Sequence, residues 1–158
     1  MSCALIPEAA KYVMGIEPKT HGGAETGDYV SCKTAHAVYM VCKVAQGNAA
    51  QITWTPKQAT AVAGTSSKAL GTVVPIWSNE DTAASDALTA ETAAVNFQTD
   101  AALKNKVVIF KIDPATLDKA NGFDCVCMYA AASNAANLIS VDYYLEARYG
   151  HGETAITD

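Results

Sequence analysis

Charged side chains are scarce in this chain, and their scarcity is the first feature that restricts its function. Asp, Glu, Lys and Arg make up 17% of the 158 residues, whereas a typical soluble domain has roughly 25%. Small residues replace them, including thirty alanines. A surface with little charge loses little hydration energy when another protein covers it. The composition therefore favours a protein that packs against other subunits, although a general alanine bias would give the same numbers.

Basic stripes and long apolar runs are also missing. The net charge is −5, and nothing in the chain offers the clustered Lys and Arg that bind phosphate backbones. No apolar run approaches the roughly 20 residues that span a bilayer, and the N-terminus lacks the basic start and apolar run of a secretory signal. We expect neither nucleic acid nor membrane as a partner, and synthesis in a cytoplasm.

Cysteine is too sparse and too irregularly spaced for a disulfide framework. The five cysteines form no CxxC pair, and their number is odd. Cys42, Cys125 and Cys127 lie within apolar runs, where a free thiol behaves as a small buried hydrophobe. Cys125 and Cys127 share one face of a predicted strand. The pattern favours buried thiols over a disulfide or a metal site.

Motifs for catalysis and cofactor binding are absent from the sequence. We find no nucleophile elbow, phosphate-binding loop, dinucleotide fingerprint or zinc-protease helix. Cys32 and His36 lie roughly 13 Å apart along one extended run, too far to hydrogen-bond. The carboxylate pairs Glu80/Asp81, Asp113/Asp118 and Asp142/Glu146 show no spacing that sequence alone can identify as catalytic. We expect a protein that is not an enzyme and holds no cofactor or metal.

Short strands account for most of the chain. In His36–Ala45 the residues Val38, Met40, Cys42 and Val44 alternate with Tyr39, Val41 and Lys43, which is the period of a β-strand. The turn Gln46-Gly47-Asn48 follows, and with Ala49–Lys57 it predicts an antiparallel hairpin. Further strands are predicted near residues 29–32, 69–78, 87–89, 94–98, 106–112, 123–131 and 138–149.

Only two helical turns interrupt these strands. The first is Thr99–Lys104, and the second is Asp113–Asp118 with Asp113 as its N-cap and Pro114 at the first helical position. Pro75 indicates a sheet edge or a bulge within its strand. Eight or nine short antiparallel strands without a long helix predict an all-β protein, a single β-sandwich or a barrel.

The predicted sandwich spans residues 28–149 and is flanked by two extended arms. Residues 1–27 show no sustained period, apart from a predicted helical turn near Pro7–Tyr12, and form the N-terminal arm. Residues 150–158 form the C-terminal arm. Arms of this kind usually lie on their own domain or on a neighbour.

The large aromatic residues divide between core and surface. Trp54 and Tyr143 are predicted to fill the core, and the adjacent Tyr144 must then point outward. Exposed aromatics dominate the energy of protein interfaces. The candidate interface residues are Tyr12, Trp77, Tyr144, Tyr149 and His151. A rival interpretation is a carbohydrate-binding module in which Trp77 acts with Asn79 and Asp81.

Several segments within residues 28–149 together resemble a group of small virion proteins of tailed bacteriophages and prophages. The segments are Gln51–Ala59, Ala63–Ala69, Trp77–Asn79, Asp81–Asp86, Asp113–Asp118, Gly122–Cys125, Ser133–Asn137 and Arg148-Tyr149. They are turn and strand signatures, and they carry no catalytic residues. Gly150-His151-Gly152 follows Arg148-Tyr149, where relatives often have a proline-rich tail.

The resemblance implies a head-decoration, or cement, protein with a jelly-roll-like sandwich. Such a protein is made in the host bacterial cytoplasm and binds the major capsid protein on the outer surface of the virion. We expect a homo-oligomer, either a dimer or a trimer. The alternative within structural proteins is a component of the neck, the tail or a fibre.

Overall fold

The computed structural model describes residues 10–148, and nearly all of its regular structure is β. The strands are β1 (Ala10–Thr20), β2 (Glu25–Thr26), β3 (Val30–Ser31), β4 (Ala35–Ala45), β5 (Thr53–Ala59), β6 (Lys68–Ala69), β7 (Ile76–Asn79), β8 (Thr89–Ala90), β9 (Phe97–Gln98), β10 (Asn105–Ile112), β11 (Cys125–Ala130) and β12 (Leu138–Ala147). Two 3-10 helices, Pro114–Thr116 and Lys119–Asn121, separate β10 from β11. In this described part of the chain, no helix has the length and apolar character needed to cross a membrane.

The strands form two packed sheets. Sheet A has the order β1-β12-β4-β10-β7-β8, and sheet B has the order β2-β11-β5-β6, with β3 also paired to β11 and β9 to β5. The pairings between named strands are antiparallel. The predicted all-β sandwich is therefore confirmed, whereas the finer jelly-roll description stays a prediction.

The period-two patterns place the expected side chains in the core between the sheets. Val38, Met40, Cys42 and Val44 of β4 are buried there, and β10 buries every second residue from Lys106 to Ile112. Trp54 from sheet B and Tyr143 from sheet A are fully buried in the same core, as predicted.

The predicted hairpin between β4 and β5 is wrong, because these strands belong to different sheets. β12 and β10 occupy the two sides of β4 over nearly its whole length, so that no edge remains for β5. The connecting residues 46–52 instead cross from one sheet to the other. Asn137 holds this crossing, since its side chain accepts a hydrogen bond from Asn48 N at 2.8 Å and donates one to Ala50 O at 2.9 Å.

One of the two predicted helical turns is confirmed. Asp113 caps the first 3-10 helix by accepting a hydrogen bond from Ala115 N at 2.8 Å, and Pro114 follows at the predicted position. The helical turn predicted at Thr99–Lys104 is wrong, because residues 101–104 form bends and no helix. Asp100 there accepts a bond from Ala102 N at 2.8 Å, a local contact that competes with helix formation.

Pro75 divides the strand that was predicted over residues 69–78. Val74 makes an isolated bridge to Ala94, and β7 begins only at Ile76. Because proline has no N–H to donate to a ladder, the segment before it does not continue the strand.

Residues 10–20 of the predicted N-terminal arm belong to sheet A, where they form the edge strand β1 beside β12. The register between the two strands shifts twice, between Met14 and Ile16 and between Ile16 and Lys19. These shifts remove the regular alternation by which strands are predicted from sequence. The segment Ala10–Tyr12 is consequently strand and not a helical turn, whereas residues 1–9 and the predicted C-terminal arm lie outside the described residues.

Tyr143 connects the two sheets through the middle of the core. Its hydroxyl accepts a hydrogen bond at 2.9 Å from the backbone N–H of Met128, which lies in sheet B. Gly15 and Gly27 flank the phenol closely, and a β-carbon at either glycine would overlap the ring or its hydroxyl. The ring therefore fits only because both neighbours lack a side chain.

We expect Tyr143→Phe to destabilise the fold by about 1–3 kcal/mol, because the buried Met128 N–H loses its acceptor. Urea unfolding followed by circular dichroism measures the change. Tyr144→Phe, which removes a hydroxyl from the outer side of the same strand, is the matched control and should shift the free energy of unfolding by less than about 0.5 kcal/mol. Equal effects of the two variants would contradict the assigned role of Tyr143.

We also expect Gly15→Ala to cost about 1–3 kcal/mol, since the added methyl group must displace the Tyr143 ring. Gly23→Ala is the control, because a β-carbon at Gly23 has no atom within 4 Å. Thermal unfolding of both variants should show a lowered midpoint for Gly15→Ala alone. An unchanged midpoint would show that the ring has room to move.

Candidate functional site

The side of sheet A that faces away from the core is the most unusual surface of the described residues. Its side chains are Tyr12 and Met14 of β1, Asp142, Tyr144 and Glu146 of β12, Tyr39, Val41 and Lys43 of β4, Val107, Ile109 and Lys111 of β10, and Trp77 of β7. We call this set the outer face. The strand register aligns its members in rows, one of which runs Met14, Asp142, Val41, Ile109, Trp77 across five strands.

A second row runs Tyr12, Tyr144, Tyr39, Lys111 beside the first. The rings of Tyr12 and Tyr144 are 5.5 Å apart and tilted by 59°, a geometry that aromatic pairs favour. The Lys111 ammonium lies 5.9 Å from the centre of the Tyr39 ring. Three aromatic side chains from three adjacent strands are thus direct neighbours in the register and form one strip.

Apolar side chains on the outer face remain open to solvent. Tyr12 and Met14 are 48% and 50% exposed, and Tyr39, Val41, Val107, Ile109 and Trp77 are partly exposed. An antiparallel sheet with one solvated face normally alternates apolar residues inside with polar residues outside. Sheet A breaks this rule in β4 and β10, where both sides of the strand are largely apolar.

Sheet B serves as an internal comparison, since its strand β5 keeps the usual alternation and the outward side chains of β11 are covered. The outward residues of β5 include Thr53, Thr55 and Lys57, and the Lys57 ammonium covers the Tyr129 ring at 3.7 Å. The outward thiols of Cys125 and Cys127 are covered in a small cluster with Tyr29 and Ala59. The outer face of sheet A has no such cover among the described residues.

Charged groups on the outer face balance one another. Asp142 receives a hydrogen bond from the Tyr12 hydroxyl at 2.6 Å and pairs with the Lys43 ammonium at 2.5 Å. The bond to Asp142 raises the pKa of Tyr12 to about 12. Counting Lys43 and Lys111 against Asp142 and Glu146 gives two positive and two negative charges. The face is therefore neutral within a chain whose net charge is −5.

Three of the predicted interface residues meet on this surface. Tyr12 and Tyr144 are direct neighbours, and Trp77 lies three strands away from Tyr144 in the same sheet. Tyr149 and His151 lie outside the described residues. The sequence analysis did not select Tyr39, Val41, Val107 and Ile109. These residues could have been noticed, because β4 and β10 have apolar residues at both their inward and their outward positions.

The two polar side chains that the carbohydrate-binding interpretation places beside Trp77 already have partners within the chain. The Asn79 side chain donates to Ser85 O at 2.6 Å and accepts from Asp81 N at 3.0 Å, while the Asp81 carboxylate pairs with Lys104. That ion pair lowers the pKa of Asp81. A sugar at Trp77 would therefore have to compete with these internal contacts for the amide and the carboxylate.

The described cysteines are buried free thiols, as expected for Cys42, Cys125 and Cys127. Burial raises the pKa of Cys32 to about 12, so its thiol stays protonated and is a poor nucleophile. His36 is exposed at the start of β4. Among residues 10–148 no group of three or more His, Cys, Asp or Glu side chains could hold a metal ion. Cys3 lies outside the described residues.

Lys106 forms the most buried charged cluster of the described chain. Its side chain is fully buried, and its ammonium donates to Asp100 O at 2.8 Å, pairs with the Asp100 carboxylate and lies 3.4 Å from Glu80 Oε2. The hydrogen bond from Lys106 lowers the pKa of Asp100, whereas burial raises the pKa of Glu80. The cluster ties two surface loops to the start of β10, and no pattern in the sequence indicates it.

The opposite pKa shifts predict opposite pH effects of two variants. Asp100 stabilises the fold above its unfolded pKa of about 3.9, so Asp100→Asn should lower stability at neutral pH and lose this effect in acid. Charged Glu80 is disfavoured by burial, so Glu80→Gln should leave stability equal or higher at neutral pH and unchanged in acid. Urea unfolding at several pH values measures both, and loss of stability in both variants at neutral pH would contradict the assignment.

Comparison with known proteins gives little further information. No family model matches the sequence, and no curated protein matches it. Among solved structures, the crystal structure of the SPBc2 prophage-derived protein YomS aligns over 86% of this chain and 91% of that chain, with 9% sequence identity and a TM-score of 0.49. A likeness of this extent carries no function from YomS to this chain.

Proposed function

We propose that this protein is a non-enzymatic structural component of a bacteriophage particle and that it decorates the outer surface of the capsid as a cement protein. The observation that carries the structural role is the outer face of sheet A, which is broad, neutral and apolar. Exposed apolar patches larger than a few hundred Å² usually mark surfaces where proteins bind one another. The assignment to a phage particle is supported by the sequence resemblance over residues 28–149.

The sandwich suits a protein that must withstand mechanical force. Long-range antiparallel pairing joins β1, β12, β4 and β10 along most of their lengths, and the Tyr143 hydrogen bond fastens sheet A to sheet B. A subunit that binds only the assembled capsid stabilises that state by mass action. Decoration therefore opposes expansion of the shell by internal pressure.

Weak individual contacts are sufficient for such a protein. Many copies bind one lattice, and linked contacts add avidity that exceeds the affinity of each site. Burial of apolar surface contributes about 25 cal/mol per Å² before the costs of ordering. A surface poor in charge reduces the hydration energy lost in each contact.

Mass spectrometry of purified particles tests this proposal. Particles produced by the strain that encodes the protein should contain it at a ratio of about one copy per major capsid subunit, as a repeated lattice site requires. About a dozen copies or fewer per particle would instead indicate a ring in the neck or tail. Absence from the particles, or turnover of a substrate by the purified protein, would refute the proposal.

A further inference from the structure

We infer that the outer face of sheet A is a homodimer interface, in which two copies of this chain pack face to face about a two-fold axis. The inference deepens the proposed function, on which its biological setting rests, because it names the partner that covers the face. Three observations carry it: the apolar strip, the balance of charge and the dimensions of the face.

The charge distribution selects a second copy as the partner. The chain as a whole carries −5, so two copies repel each other at long range and need a contact surface that adds no further repulsion. The outer face carries no net charge, with Lys43 already paired to Asp142 at 2.5 Å. In a two-fold interface the same patch meets itself, and a patch without net charge does so without bringing like charges together.

The dimensions fit a weak, reversible interface. Strands β1, β12, β4, β10 and β7 lie side by side, and at about 4.8 Å per strand they span about 24 Å. From Tyr39 to Lys43 the face extends over five residues of β4, about 17 Å along the strand direction. The face therefore offers about 400 Å² per copy and about 800 Å² in total, the size of a small interface whose two copies associate reversibly.

The chemistry of the face also fits contact between two sheets. Two sheet faces pack about 10 Å apart when apolar side chains interdigitate. Val41 and Ile109 are directly opposed near the centre of the face, and Tyr39 and Trp77 stand on either side of them. Aromatic residues around an aliphatic centre are the composition that interface cores favour.

Sedimentation velocity of the purified full-length protein over a wide range of concentration tests the inference. We expect a reversible species of twice the 16.5 kDa chain mass. Ile109→Lys brings two lysines into the interface at once and should raise the dimer dissociation constant by about thirtyfold or more, as loss of a hot-spot residue does. Tyr39→Ser, which removes a ring from the strip, is a second variant in case Ile109→Lys does not fold.

Val62→Lys is the matched control. Val62 is 42% exposed and lies in the loop after β5, on the side of sheet B. Its substitution should leave the dissociation constant unchanged, and circular dichroism should show the same fold in all variants. A wild-type protein that sediments as a monomer at every concentration would overturn the inference, as would a dimer that tolerates both variants of the outer face.

The two proposals fail in distinguishable ways. A monomeric protein that is nevertheless abundant in particles would refute the homodimer and leave the capsid role standing. A dimer that is absent from particles would refute the capsid role and leave the interface standing.

Discussion

The hydrogen bond from Met128 N–H to the Tyr143 hydroxyl connects the two sheets and sets which side chains of β12 face the core. It joins β12, which lies between β1 and β4 in sheet A, to β11, which lies between β2 and β5 in sheet B. Gly15 and Gly27 leave the space that the phenol fills. Because Tyr143 points inward at this position, Asp142 and Tyr144 must point outward, and the register of β12 with β1 and β4 then fixes the composition of the outer face.

This arrangement links packing to association. A shift of β12 by one residue would exchange its inner and outer side chains, moving Tyr143 to the surface and Asp142 into the core. The buried hydrogen bond and the two glycines disfavour that shift. The same constraint that stabilises the sandwich thus maintains the strip of Tyr12, Tyr144 and Tyr39 on the opposite side, where another subunit can contact it.

Much of the fold could be predicted from local pattern, because alternation and capping are local properties. The features predicted correctly in this way include the strands β4, β10 and β12, the buried Trp54 and the Asp113 cap. The prediction of a β4–β5 hairpin was wrong because turn residues indicate that the chain reverses direction, but they do not determine which sheet the next strand joins. Strand β1 was missed because two register shifts disrupt its period. The Lys106 cluster depends on loops brought together by the whole fold.

The candidate site could be predicted only in fragments. Tyr12, Trp77 and Tyr144 were selected as single exposed aromatics, yet they become one surface only through the strand order β1-β12-β4-β10-β7, which joins segments distant in sequence. Val41 and Ile109 lie at positions of β4 and β10 that point away from the core, where a polar residue is usual. Apolar residues on both sides of a strand can indicate an exposed apolar surface, but they can also indicate a strand buried on both faces. Only the three-dimensional structure distinguishes these two cases.

The burial of the described thiols has a consequence for durability. Cys32, Cys42, Cys125 and Cys127 are free and inaccessible, and burial raises the pKa of each of them. Oxidation begins at exposed thiolates, so these sulfurs resist both sulfenic acid formation and exchange with foreign disulfides. The described domain can therefore pass from a reducing cell interior into aerated surroundings without covalent change at these positions.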